Sequence, residues 1–143
     1  MTPSRADYTA VVRSPPDTVD DAHDFLQRVW SERPDVSAAE RMAMETALSE
    51  LVTNVIQNNP HREVLCAVTL EIHPELIVLQ TADTGVVVDG SPDVASMPCD
   101  EAEHGRGLAL IRMITDGLSY HHDGERNVWR AQKARAVPDG ADG

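Results

Sequence analysis

Two hydrophobic periods meet within a few residues of this chain, and their junction limits the folds open to it. Between Ser37 and Asn58 the apolar residues Met44, Ala47, Leu48, Leu51 and Val55 recur at helical spacing. Ser37 and Glu40 form a capping box at the start, and Pro60 ends the run. From Val64 the period drops to two, with Val64, Cys66, Val68, Leu70 and Ile72 alternating with less buried positions as in a half-buried strand. A long helix with one apolar stripe, leading into a strand with one apolar face, calls for two layers that cover each other.

The remaining segments fit that plan. Residues 8–13, "YTAVVR", read as a short strand, and "SPPD" turns the chain. Asp17 or Thr18 can cap a helix with Val19, Ala22, Leu26, Val29 and Trp30 on one side. "ERPD" stops it, because a residue before proline avoids helical angles. "LIVLQTA" is apolar on both sides, the pattern of a central strand. Residues 86–104 are loop-like. A third helix is expected from near Gly105, carrying Leu108, Ile111 and Ile114, with Gly117 as its C-terminal cap. "LSYHHDGERNVWRAQ" reads as a hairpin about Asp123-Gly124, and residues 134–143 as a frayed tail. The expected fold is α/β of the α+β kind. It is a single-domain two-layer sandwich with a mixed, mainly antiparallel sheet and the helices on one face.

Composition narrows function. The 143 residues carry a formal charge of −12, which repels phosphates and argues against nucleic acid as a direct partner while allowing basic ones. Lys133 is the only lysine, so a Walker-type phosphate loop is excluded; arginine, a metal or backbone amides must hold any phosphate. Cys66 and Cys99 make no disulfide framework, and neither a secretory signal nor a membrane-spanning run is evident. A reduced, cytoplasmic setting is the expectation.

One file of residues does not suit a plain amphipathic helix. Glu50, Asn54 and Asn58 follow one another at intervals of four, on the flank of the apolar stripe. A solvated glutamate and two helix-end amides would explain them. The chemical alternative is an amide oxygen as a hard Mg²⁺ ligand, one turn after a carboxylate that can take a proton from a nucleophile. Two further segments add weight. Asp83 stands where an apolar strand ends, with Gly85 two residues on; the carboxylate can accept from an exocyclic amine, and the glycine admits a flat ring. Gly105 and Gly107 open a helix whose free N–H groups favour an anion, with Arg106 between them as a phosphate fork. A common Asp-Thr-Gly turn and a chance Gly-Arg-Gly are the ordinary explanations.

In order and spacing the set resembles the GHKL, or histidine-kinase-like, ATPases, and among them the bacterial anti-sigma-factor serine/threonine kinases. The resemblance covers about residues 8–133 and implies a Bergerat-type ATP-binding fold. "SELVTN" is similar to the family's N box, which implies Glu50 as general base and Asn54 as Mg²⁺ ligand, with Asn58 lining the phosphate side. "DTG" resembles the first glycine box, implying Asp83 and Gly85 against adenine. "GRGLAL" resembles the second, implying that backbone from Gly105 through Arg106 and Gly107 to Leu108 wraps the phosphates. Residues 86–104 would then be a lid. The implied cofactors are ATP and Mg²⁺, and the implied partners a sigma factor and an anti-anti-sigma (STAS) protein, with a homodimer in some members. Asn58 stands where the family often has histidine or lysine, Val87 replaces a glycine, Ala109 replaces another, and the threonine often found before the last strand is missing from "ERNVW".

Two other functions remain open on these residues. One is a module of the same fold that binds nucleotide or partners without transferring phosphate. The other is a retroviral-type aspartic protease, since "LQTADTGVVVDG" followed by "GRGLALI" also resembles that pattern; Asp83 would then pair with its copy across a dimer.

Overall fold

A computed structural model describes residues 6–87 and 102–135, with the backbone alone for residues 102–106. The elements are β1 (Ala6–Ser14), α1 (Val19–Glu32), α2 (Ala38–Asn58), β2 (Val64–Ile72), β3 (Leu76–Asp83), α3 (Ala102–Ile114), β4 (Gly117–His122) and β5 (Asn127–Ala134). Both early helices begin as their sequences dictate. Thr18 and Asp21 close one capping box, and Ser37 and Glu40 close the other, with the Ser37 amide donating to Glu40 Oε1 at 3.0 Å.

The strands form one five-stranded sheet in the order β1-β2-β3-β5-β4. Every pairing is antiparallel, so the expected mixed sheet is corrected to a purely antiparallel one. The cause lies in the last hairpin. After α3 the chain lays β4 at the edge, and β5 then returns between β4 and β3, reversing the direction that a simple helix crossover would give. β3 is central, as its two-sided apolar run requires.

Alternation decides which side chains meet the helices. Cys66, Val68, Leu70 and Ile72 of β2 stand beside Ile77 and Leu79 of β3 and Trp129 and Ala131 of β5. These join Ala22, Leu26 and Trp30 of α1, Met44, Leu48 and Leu51 of α2, and Leu108 and Ile111 of α3 in one buried core. All three helices therefore cover the same face.

Two boundaries differ from the sequence reading. α3 begins at Ala102 rather than near Gly105 and runs through both glycines. Gly117 is the first residue of β4 and not a cap. Thr115 ends α3 instead, its amide and Oγ1 both donating to the Ile111 carbonyl at 3.0 and 2.6 Å. Gly124 does hold the hairpin turn at φ +100°, while Asp123 Oδ1 accepts from the amides of Glu125 and Arg126. The loop expected over residues 86–104 lies, for residues 88–101 and Cys99 with them, outside the described residues, as does most of the tail.

Arg135 ties the end of β5 to the start of α2. Its guanidinium donates to the His73 carbonyl at 2.9 Å, to Asp35 Oδ2 at 3.0 Å and to Glu40 Oε1 at 3.3 Å, with only 8% of the side chain exposed. Removing it takes the guanidinium away from the buried Glu40 carboxylate, which keeps the Ser37 amide. Arg135→Ala should cost about 3 kcal/mol in urea unfolding, and a loss no larger than that of a surface substitution would show the contact to be idle. Arg33, opposed by burial and helped by Arg135, holds the Asp35 carboxyl well below the usual carboxylate range. A folded value below the unfolded one stabilises at neutral pH and is lost as pH falls below about 4. Asp35→Asn should therefore flatten the acid limb of the stability profile.

Candidate functional site

β3 carries Asp83 to the end of the sheet, on the helix-covered face, where only 2% of the residue is exposed. A buried carboxylate needs donors, and local chemistry supplies two. Asp83 Oδ1 accepts from the Gly85 amide at 2.8 Å and from Asn127 Nδ2 at 3.0 Å. Among the described residues its Oδ2 accepts no hydrogen bond. Burial pushes the Asp83 carboxyl above its ordinary value, against the opposing pull of Asn127 and Gly85. Across the ladder, burial pushes the Cys66 thiol up to about 12, with Asp83 adding to the effect, so this cysteine is an inert part of the floor.

Gly85 is required by proximity. A Cβ there would overlap Asn59 Nδ2 and stand 2.9 Å from Asp83 Oδ1. Asn59 itself fastens α2 to the turn after β3: its amide nitrogen donates to the Val55 carbonyl at 2.8 Å, and its oxygen accepts from the Val86 amide at 3.0 Å. The file read from the sequence ends at Asn58. In the structure Asn58 is half-buried, and the next residue, Asn59, is the buried one at 7% exposure. Asn59 leaves helical geometry at φ −133°, ψ 58°, which swings its side chain inward just before Pro60.

At the other end of the file α2 meets α3. Glu50 is half-buried and Asn54 buried. Among the described residues, no hydrogen bond engages the side chains of Glu50, Asn54 or Asn58. A Cβ on Gly107 would overlap Glu50 Oε1 and lie 3.3 Å from its Cδ, so glycine is what lets α3 approach this carboxylate. Because α3 starts at Ala102, its unbonded amides end at residue 104. Gly105, Gly107 and Leu108 lie within the hydrogen-bonded helix, and Leu108 packs in the core at 4% exposure. The side chain of Arg106 lies outside the described residues.

The structure thus joins Asp83 with Gly85 and Glu50 with Gly107, at opposite ends of one helical file. It adds Asn59 and Asn127, which the sequence reading missed. The signal for Asn127 was present, as the one polar residue at an inward position of "NVWRA". The signal for Asn59 was the Asn-Pro step. His121 and His122 are exposed, and no metal-binding cluster occurs among the described residues. The aspartic protease pattern fails on geometry: Asp83 is buried beneath a helical layer and cannot meet a copy of itself.

A family model described as the histidine kinase-like ATPase domain matches residues 12–133. The chain belongs to this family. No curated protein matches it. Membership implies an ATP-binding domain, and the residues of the site fit a nucleotide. Asp83 Oδ2 is an acceptor without a partner among the described residues, and Gly85, having no side chain, lets Asn59 and the turn close against the carboxylate. Close by on the same strand face, the buried Thr81 Oγ1 also lacks a partner among the described residues.

Asp83 therefore costs stability at neutral pH, because a folded pKa above the unfolded one favours the protonated acid, and the cost shrinks as pH falls. Asp83→Asn should keep or raise the melting temperature at pH 7 while reducing ATP affinity by about 100-fold. Calorimetric titration beside thermal unfolding checks both, and unchanged ATP affinity would remove Asp83 from the pocket.

Proposed function

We propose that this ATPase-family domain is a Mg²⁺-dependent serine/threonine protein kinase of the anti-sigma type, acting in the cytoplasm. Its substrate would be a hydroxyl on an anti-anti-sigma (STAS) protein, and its second partner a sigma factor. The observation that carries the reading is the placement of Glu50: a half-buried carboxylate against the backbone of α3, engaged by no hydrogen bond among the described residues and one turn before the buried Asn54. A general base needs such an unoccupied oxygen beside the phosphate side of the pocket.

In this mechanism Asp83 and Gly85 hold the base at one end of the file. Asn54 would hold Mg²⁺ through its amide oxygen, and the metal would supply charge neutralisation at the phosphates. Glu50 would draw the proton from the attacking hydroxyl while that hydroxyl's oxygen bonds to the γ-phosphorus and the bond from the γ-phosphorus to the departing ADP breaks. Positioning and electrostatics supply most of the rate. Phosphate added to the partner brings negative charge toward a chain of formal charge −12, so the phosphorylated partner leaves by repulsion. The freed kinase then sequesters the sigma factor.

Val87 supports a second reading. It stands where the family's glycine box usually has its second glycine, so the backbone there is stiffer than glycine would make it. On that reading the domain binds nucleotide and partners without transferring phosphate.

Glu50→Gln separates the two. It should lower transfer of labelled phosphate to the STAS partner by at least about 100-fold while sparing partner binding; equal labelling by the natural protein and the variant would remove Glu50 as the base. Gly107→Ala offers a second check. Alanine favours the helix by about 1 kcal/mol, yet its Cβ displaces the Glu50 carboxylate. Melting temperature should hold or rise while phosphoryl transfer falls, and a variant with full activity would show that Glu50 needs no fixed position.

A further inference from the structure

The hydrogen bonds around Asp83 extend beyond the residues that would touch a nucleotide. Asn127 is 2% exposed, and its side-chain nitrogen stands among three oxygens: Asp83 Oδ1 at 3.0 Å, the Gly85 carbonyl at 3.3 Å and the Val86 carbonyl at 2.8 Å. Its side-chain oxygen accepts from the Tyr120 hydroxyl at 2.5 Å. Tyr120 is placed in turn by Trp129, with ring centroids 4.6 Å apart. The three oxygens fix the orientation of the amide, since a flipped Asn127 would set its oxygen against all of them, and the Tyr120 donor suits the oxygen so placed.

We propose that Tyr120, acting through Asn127, is a positioning residue that keeps one oxygen of Asp83 occupied and so restricts the pocket to a base offering a single amino donor. The inference rests on the nucleotide-binding reading given above and adds the source of its base selectivity. Asp83 Oδ1 already accepts two hydrogen bonds, from Gly85 and Asn127, both inside the protein. Only Oδ2 is left for a ligand. Adenine presents one exocyclic amino group beside a ring acceptor and suits a lone oxygen. Guanine presents two adjacent donors, a ring N–H and an amino group, which bind a carboxylate best when both of its oxygens are open.

Tyr120 matters because it satisfies the buried Asn127 oxygen. Three acceptor-only oxygens hold the Asn127 nitrogen toward Asp83 and the turn, and the phenol, donating to the oxygen left on the other side, keeps the amide seated in that pose. Asn127 also stands directly opposite Asp83 in the β3–β5 ladder, so the contact is built into the register of the sheet rather than into a loop. Tyr120 lies on β4, one strand beyond, opposite Trp129. Three strands therefore converge on the orientation of one carboxylate.

The test compares ATP and GTP binding by calorimetry on the full chain, on Asn127→Ala, on Tyr120→Phe and on the double variant. The natural protein should favour ATP. Asn127→Ala should weaken ATP by about tenfold and GTP by less, because a freed Oδ1 can now meet the second donor of guanine, so the ATP-to-GTP preference contracts. Tyr120→Phe keeps the ring against Trp129 and hence the fold, and should contract the preference in the same direction. Added to Asn127→Ala it should change the preference no further. Equal weakening of both nucleotides in either variant would overturn the proposal and leave a merely structural role. So would an effect of Tyr120→Phe that persists in the double variant. Failure of the natural protein to bind ATP at all would overturn the nucleotide reading and this inference together, whereas ATP binding with an unaltered preference would overturn this inference alone.

Discussion

A carboxylate buried at the end of the central strand sets the terms for everything around it. Asp83 is 2% exposed and must be hydrogen-bonded or protonated. Its donors come from the turn that follows, through Gly85, and from the neighbouring strand, through Asn127. The same turn is gripped from the helical layer by Asn59. Sheet, turn and helix are therefore fastened together around a group whose ionised form burial disfavours. Such an arrangement is expected of a binding site, where a perturbed carboxyl is kept because it serves a ligand.

α2 connects this end of the site to the other. One stripe of the helix, Met44, Ala47, Leu48 and Leu51, is fully packed in the core. The adjoining file, Glu50, Asn54 and Asn58, runs along the edge of that packing for about 12 Å at the rise of an α-helix. The core thereby fixes the direction of the polar file without contributing to its chemistry. At the Glu50 end the absence of a side chain at Gly107 sets how near α3 comes. A helix that packs and presents in this way needs no loop to hold its functional groups, which favours a preorganised site.

Much of this was legible in the sequence because the relevant signals are local. The cap at Asp17 or Thr18, the capping box at Ser37, the change of period before Val64 and the Asp123-Gly124 turn depend on residues within a few positions of each other. The direction of β5 relative to β3 was not legible, since a hairpin pattern does not say which of its strands lies inward. The start of α3 was misplaced because glycines were read as a boundary, when the helix simply runs through them. Asn127 and Asn59 escaped because their meaning is non-local. The inward polar position marks Asn127 as unusual, but it meets Asp83 across 44 positions of chain, and its neighbours do not name that partner.

The central claim is that one helical file and one buried carboxylate form the two ends of a nucleotide pocket. The most direct measurement is a calorimetric titration of the full chain with ATP, with and without Mg²⁺, repeated on Asn54→Ala. The account predicts ATP binding that Mg²⁺ strengthens, with Asn54→Ala abolishing the metal's contribution and sparing metal-free binding at the Asp83 end. Absence of binding at millimolar ATP, or a Mg²⁺ effect that survives the loss of Asn54, would contradict it.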